Sequence, residues 1–133
     1  MNPMKIGVVG CGVISEIYFH NLARLDVVEI VACADLDRQK SNAVVRKYPS
    51  IKRLSTEELL EDPSVDLIVN LTQPEFHFEV MKSGIEAGKH VYGEKPICIS
   101  FDDSLELLAL AAKADTRVGC APDTFLGAGI QTS

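Results

Sequence analysis

The chain has 133 residues, 47 % of them hydrophobic and 24 % charged, which is enough apolar material for the core of one domain. Its formal net charge of -6 argues against nucleic acid or an anionic membrane as a partner, and no basic stripe with interleaved aromatics appears. No apolar run approaches the length that spans a bilayer, and the start lacks the charged and apolar regions of a signal peptide. Cys11, Cys33, Cys98 and Cys120 are widely spaced, with no paired motif and no metal-ligand cluster. They are expected to be reduced core thiols in a cytoplasmic protein, with no bound metal.

In chain order, short β-rich runs alternate with helical segments. "KIGVVG" (5–10) is apolar without alternation, as in a strand buried on both faces. Ile14, Ile17, Tyr18, Leu22 and Leu25 follow at helical spacing, which predicts a helix burying that face. "VEIVACAD" (28–35) reads as a second strand, 36–48 as a mostly polar helix, and "IKRL" (51–54) as a short third strand. Ser55 or Thr56 can cap a brief helix, with Glu58 placed for a capping box from Ser55.

"VDLIVNLT" (65–72) is the fourth strand. Pro74 suits the first turn of the next helix, Phe76, Val80, Met81, Gly84 and Ile85 line its apolar face, and Gly88 stops it. "HVYGE" (90–94) is the fifth strand. A helix follows, capped by Ser100 or Asp102, with Leu105, Leu108, Ala109 and Ala112 expected inside. "RVGCA" (117–121) is the sixth strand. Strands and helices alternating through short loops imply an α/β fold with a doubly wound parallel sheet. The expected strand order is 3-2-1-4-5-6, Rossmann-type, with a ligand crevice at the carboxyl ends of the first and fourth strands.

Gly10-Cys11-Gly12-Val13-Ile14-Ser15 lies between a strand and a helix, the context of a dinucleotide loop. Gly10 allows the sharp turn, and Gly12 lets backbone approach a pyrophosphate held by amides at a helix N-terminus. Ser15 stands where a third glycine is usual; a small residue there still allows close packing of helix on strand. Asp35 ends the second strand 20 residues after Ser15, where a carboxylate accepts from adenosine ribose hydroxyls. It also repels a 2′-phosphate, which favours NAD over NADP, although Arg38 and Lys40 nearby leave NADP open. Thr72-Gln73-Pro74, Glu94-Lys95-Pro96 and the stretch from Cys120 to Thr132 follow the later strands and are expected on the same rim. An ammonium such as Lys95 in a partly dry cleft can orient a hydroxyl and stabilise developing alkoxide charge.

The segments "GVVGCGVIS", "ACAD", "NLTQPEFH", "EAGKHVYGEKP" and "APDTFLGAGIQT", in this order and spacing, resemble the N-terminal domain of the Gfo/Idh/MocA oxidoreductases. The resemblance covers essentially the whole chain. It implies that Gly10, Gly12, Val13 and Ile14 form the cofactor loop and that Asp35 is the ribose-binding acid. It places Leu71, Thr72 and Gln73 on the adenosine and pyrophosphate side, and His77 at the start of the next helix. Glu94 and Lys95 match the motif beside the nicotinamide ribose, where the lysine also reaches substrate. Pro122 and Gln131 fall in the segment that crosses toward a second domain. On this basis residues 1–122 are expected to be the dinucleotide-binding domain and 123–133 the start of a crossover to a C-terminal substrate domain that the chain lacks.

The resemblance thus implies hydride transfer between NAD, or NADP, and a sugar, polyol or related hydroxy compound. A base from the second domain would complete the catalysis, so the fragment is expected to turn over little by itself. The apolar surface left by a missing domain is expected to drive homo-oligomer formation. Two other readings share the glycine loop and the acid. One is a non-catalytic module that senses NAD(P); the other is a methyltransferase, whose inserted antiparallel last strand conflicts with the sixth strand read here.

Overall fold

The computed structural model describes residues 3–93 and 101–120. The elements run β1 (Met4–Val9), α1 (Val13–Leu22), β2 (Val28–Ala34), α2 (Arg38–Lys47), β3 (Lys52–Arg53), α3 (Thr56–Glu61), β4 (Leu67–Asn70), α4 (Pro74–Glu86), β5 (His90–Gly93), α5 (Phe101–Ala114) and β6 (Val118–Cys120). Local chemistry accounts for several boundaries. Asp37 caps α2 by accepting from the Gln39 amide at 3.0 Å. The capping box of α3 forms as expected: the Ser55 hydroxyl accepts from the Glu58 amide at 3.0 Å, and the Ser55 amide donates to Glu58 Oε1 at 2.9 Å. Pro74 opens α4, and Gly88, at φ +80°, turns the chain out of it. None of the helices in the described residues is long and apolar enough to cross a membrane.

All strand pairings are parallel, in the order β3-β2-β1-β4-β5-β6. The expected order 3-2-1-4-5-6 is therefore the observed one. Residues of β1, β2, β4 and β5 feed two cores, one on each face of the sheet. Ile6, Val8, Ile30, Cys33 and Val69 pack with Phe19 of α1 and Val44 of α2 on one face. Val9, Ala32, Ala34, Ile68 and Val91 pack with Leu59 of α3, Met81 and Ile85 of α4, and Leu107 of α5 on the other. Strands covered on both faces can be almost wholly apolar, and these are.

At the amino ends of the strands, Lys89 is buried. Its ammonium donates to the carbonyls of Asp62 at 2.6 Å and Val65 at 2.8 Å, tying the turn before β4 to the turn before β5. Burial holds its pKa below the ordinary lysine value, against the opposing pull of Asp62 and Asp66.

Two helices bury a different face from the one that periodicity predicts. In α1, Ser15 and Phe19 are buried and Tyr18 and Leu22 half-buried, whereas Ile14 and Ile17 are exposed. Leu25 lies beyond the helix and is exposed as well. The inward face of α1 runs through Ser15, Phe19 and Leu22, which leaves Ile14 and Ile17 on its outer side. In α5, Leu107 and Ala111 are buried while Leu105, Leu108, Ala109 and Ala112 are exposed. Residues 107–112 are all apolar, so spacing alone could not select a face.

The two faces of α5 are separable by stability. Leu107→Ala is expected to cost about 2–5 kcal/mol, as a fully buried leucine does. Leu105→Ala should cost under about 1 kcal/mol. Urea unfolding of the two variants checks this, and equal losses would restore the face read from the sequence.

Candidate nucleotide site at the carboxyl ends of the strands

The parallel register aligns the strand ends. Ala34 is level with Val9, Val9 with Asn70, Asn70 with Gly93, and Gly93 with Cys120. The segments that leave this row include Gly10 to Gly12, Asp35, and Leu71 to Gln73, all of which the sequence pointed to. The structure brings these together on one rim, between β1 and β4.

Gly10 has φ +102°, and a Cβ there would lie 2.7 Å from the Leu71 carbonyl carbon. Its amide donates to the Ala34 carbonyl at 2.8 Å, which closes the turn onto β2. The fold itself therefore requires glycine at this position. Gly12 differs. Its φ is -79°, and a Cβ there would meet nothing within 4 Å. It precedes α1 with no side-chain cap, so amides of the first turn face outward without a side-chain acceptor. Open space beside such amides, at the positive end of a helix dipole, suits an anion. Ser15, buried, donates its hydroxyl to the Gly12 carbonyl at 2.5 Å and holds the turn from beneath.

Asp35 is anchored through both carboxylate oxygens. The Cys11 amide donates to Oδ2 and the Asp37 amide to Oδ1, each at 2.7 Å. A carboxylate oxygen accepts more than one hydrogen bond, so Asp35 is held in place with acceptor capacity left over.

The third segment is held by a buried polar network. Asn70 Oδ1 accepts from the Thr72 amide at 3.1 Å and the Thr72 hydroxyl at 2.6 Å, while its Nδ2 donates to the His77 carbonyl at 3.2 Å. His77 Nε2 lies 2.7 Å from the Thr72 carbonyl oxygen. That oxygen only accepts, so the ring proton sits on Nε2. His77 is thus buried under the Thr72 loop and reaches the cleft through Thr72, not directly.

These parts border a cleft of about 510 Å³ lined by Gly10, Gly12, Asp35, Leu71, Thr72 and Gln73 among others. Leu36, Phe76 and Val80 add apolar wall. Leu36 is 87 % exposed and Phe76 is 43 % exposed, so Phe76 faces the cleft side and is not part of the core as its spacing on α4 implied. Its sequence signal, an aromatic two residues into a helix that begins at a strand end, is legible only once the rim is known. Lys40, Glu57 and Glu79 supply charge at the border. Ile14 is exposed at the start of α1 and does not line the cleft; of Val13 only the backbone is described. Glu94, Lys95, Pro122 and Gln131 lie outside the described residues.

A parallel sheet of this order, with an uncapped helix start, an anchored acid after the second strand and a cleft between them, defines a nucleotide-binding Rossmann domain. Residues 4–121 match the family described as "Oxidoreductase family, NAD-binding Rossmann fold". The chain belongs to that family, the Gfo/Idh/MocA oxidoreductases. It is 31 % identical over 113 residues to myo-inositol 2-dehydrogenase of Thermotoga maritima, a match covering 84 % of this chain and 34 % of that protein. Over 114 residues it is 30 % identical to 1,5-anhydro-D-fructose reductase of Ensifer adhaerens, covering 85 % of this chain and 34 % of that one. In three dimensions it is similar to an NAD-binding protein from Listeria innocua, with a TM-score of 0.83 at 27 % identity, over 88 % of this chain and 34 % of that one. The chain spans about a third of the length of the curated relatives it matches.

The two glycines should separate fold from ligand. Gly10→Ala is expected to destabilise the domain, since it combines a left-handed φ with a backbone clash. Gly12→Ser should leave stability within about 1 kcal/mol, because serine is a good N-cap. Its side chain would nevertheless fill the open space, so nucleotide affinity should fall at least about tenfold. Chemical unfolding and NADH titration of the same two proteins read both effects; full NADH affinity in Gly12→Ser would place the ligand elsewhere.

Proposed function

We propose that the chain is the cofactor-holding part of an oxidoreductase that moves hydride between a nicotinamide dinucleotide and a hydroxyl of a sugar, polyol or related compound. The observation that carries this reading is the Gly12 position: the fold does not need a glycine there, and its bareness exposes helix-start amides to the cleft. The amides at the start of α1 would hold the pyrophosphate. The Asp35 carboxylate would accept from the adenosine ribose hydroxyls, and Leu36, Phe76 and Val80 would flank the base. Asp35 favours NAD over NADP, because a 2′-phosphate would meet its negative charge. Bound there, the dinucleotide supplies the hydride acceptor or donor.

Thr72 and Gln73 would fix the cofactor from the β4 side, with His77 positioning Thr72 from below. Glu94 and Lys95 follow β5, whose last residue, Gly93, is level with Asn70. On this reading Lys95 orients the substrate hydroxyl and steadies the charge that develops on its oxygen. Pro122 and Gln131 belong to the segment that leads toward the nicotinamide end. The substrate pocket and the proton acceptor would come from the part of the relatives' length that these residues do not match, so the chain alone binds cofactor and turns over little. A cytoplasmic location accords with the wide spacing of the four cysteines, which shows no paired motif in the sequence. The outer face of α5, with Phe101, Leu105 and Leu108 exposed, supports self-association, which light scattering of the chain reads directly.

Fluorescence titration with NADH and NADPH tests the binding half. NADH is expected to bind the more tightly, and Asp35→Ala should weaken it about 10- to 100-fold by removing charge-assisted hydrogen bonds. In a protein of the relatives' full length, Lys95→Ala should abolish turnover. Absence of NADH binding to the unmodified chain would end the reading.

A further inference from the structure

Thr72 lines the cleft, but its polar groups are engaged from beneath it. Its amide donates to Asn70 Oδ1 at 3.1 Å, its hydroxyl oxygen lies 2.6 Å from that same atom, and its carbonyl accepts from His77 Nε2 at 2.7 Å. Asn70, the last residue of β4, is fully buried. Two contacts fix which way its amide group lies. An N–H only donates, so the atom facing the Thr72 amide is the Asn70 oxygen; a carbonyl only accepts, so the atom 3.2 Å from the His77 carbonyl oxygen is the Asn70 nitrogen. That Asn70 oxygen only accepts, so the Thr72 hydroxyl directs its one proton at Asn70.

The cleft therefore meets a Thr72 oxygen that offers lone pairs and no proton. Donating to Asn70 also polarises that oxygen and strengthens it as an acceptor. A Cβ on Gly10 would lie 2.9 Å from the Thr72 nitrogen, so Thr72 stands directly against the glycine turn. On the cofactor reading, that turn faces the sugar–phosphate part of a dinucleotide, and Leu36, Phe76 and Val80 flank the base. The ionised phosphates of such a chain only accept hydrogen bonds. Its donors are the sugar hydroxyls.

We propose that Asn70 is a positioning residue: it turns the Thr72 proton away from the ligand, so that Thr72 accepts from a sugar hydroxyl of the dinucleotide and makes no bond to its phosphates. The inference deepens the cofactor reading above and rests on it. In the sheet, β1 lies between β2 and β4. The glycine turn that leaves β1 thus stands between an acceptor after β2, Asp35, and an acceptor after β4, Thr72. A chain of sugar, pyrophosphate and sugar presents the complementary order.

A tie between Asn70 and the Thr72 loop could also serve the fold alone, and the two roles differ in a measurable way. If Asn70 only supports the loop, its loss and the loss of the Thr72 oxygen act independently on affinity. If Asn70 works through that oxygen, the second loss is smaller once the first has been made.

NADH titration of the full chain compares Thr72→Val, which keeps the shape and removes the oxygen, with Thr72→Ser, which keeps a hydroxyl. The valine variant is expected to bind NADH about three- to tenfold more weakly, and the serine variant to recover most of that loss. The valine loss should be as large with ADP-ribose, which has both sugars and no nicotinamide. It should disappear with 2′,3′-dideoxy-ADP, which keeps the base and phosphates without the sugar hydroxyls. With ADP the loss appears if the adenosine sugar is the partner and is absent if the other sugar is. Asn70→Ala, or Asn70→Ser should the alanine variant fold poorly, should weaken NADH binding and shrink the factor caused by Thr72→Val. A valine variant within about twofold of the unmodified chain, a loss that persists with dideoxy-ADP, or one absent with ADP-ribose overturns the sugar-hydroxyl partner. Losses at Asn70 and Thr72 that multiply in full overturn the positioning role. If the unmodified chain binds no NADH, the cofactor reading falls and this inference falls with it.

Discussion

The contact between Gly10 and the Leu71 backbone is the constraint on which the cleft depends. A Cβ on Gly10 would sit 2.7 Å from a carbonyl carbon, so the two segments meet main chain to main chain. Because they meet so closely, the chain leaving β1 must turn at once, and that turn delivers the Cys11 amide to Asp35 and Gly12 to the start of α1. On the other side, Leu71 can lie so near only because Asn70, Thr72 and His77 satisfy one another beneath it. An unpaired polar group there would cost about 1–3 kcal/mol, so the complete network is what makes a buried Asn–His pair tolerable. Rigid backbone on both banks means that little ordering remains to be done when a ligand enters.

An acidic protein that receives an anion must do so locally. Net charge sets the far field, but a helix start acts over its first turn. Among the described residues around the cleft, the carboxylates of Asp35, Glu57 and Glu79 outnumber the ammonium of Lys40. Attraction for a pyrophosphate therefore falls to oriented amides, and a side chain at Gly12 would keep the anion away from them. The acid at Asp35 is not in conflict with this. It faces hydroxyls, and its two amide donors fix its oxygens before any ribose arrives. Acceptor for a diol and donors for an anion occupy opposite ends of one turn.

What the sequence made legible is what backbone chemistry decides locally. Strand runs, the Ser55–Glu58 box, Pro74 at a helix start and Gly88 at a helix end are each encoded by neighbours in the chain, and the sheet order followed from their alternation. Helix faces were less legible. Ile14 and Ile17 look like core on a helical wheel, but the side of α1 that packs on the sheet carries Ser15 and Phe19, and how a helix is rotated on its sheet is a fact outside its own sequence. On α5 the run 107–112 is apolar all round, so only packing against α4 and β6 chooses Leu107 over Leu105. In the site, Gly10, Gly12 and Asp35 were readable because their roles rest on backbone. His77 beneath Thr72, and Leu36 and Phe76 as walls, depend on contacts between elements and were not. Glu94, Lys95, Pro122 and Gln131 rest on the family resemblance.

The molecule also keeps its stability and its binding surface at opposite ends of the strands. At the amino ends, Lys89 is desolvated at some cost and repaid by two carbonyls, which clamps the turns before β4 and β5. At the carboxyl ends of β1, β2 and β4 the chain passes instead into the segments that line the cleft, Asp35, Thr72 and Gln73 among them. A parallel sheet with both faces covered makes this division natural: its cores fix the strands along their length, and neither core needs the rim. The rim can therefore carry features that a core would reject, including an exposed Leu36, a bare Gly12 and an anchored carboxylate. Gly10 and the Asn70 network are the exceptions, since they join the rim to the core. That is why a change at Gly10 is felt by the whole fold, while one at Gly12 is felt first by whatever enters the cleft.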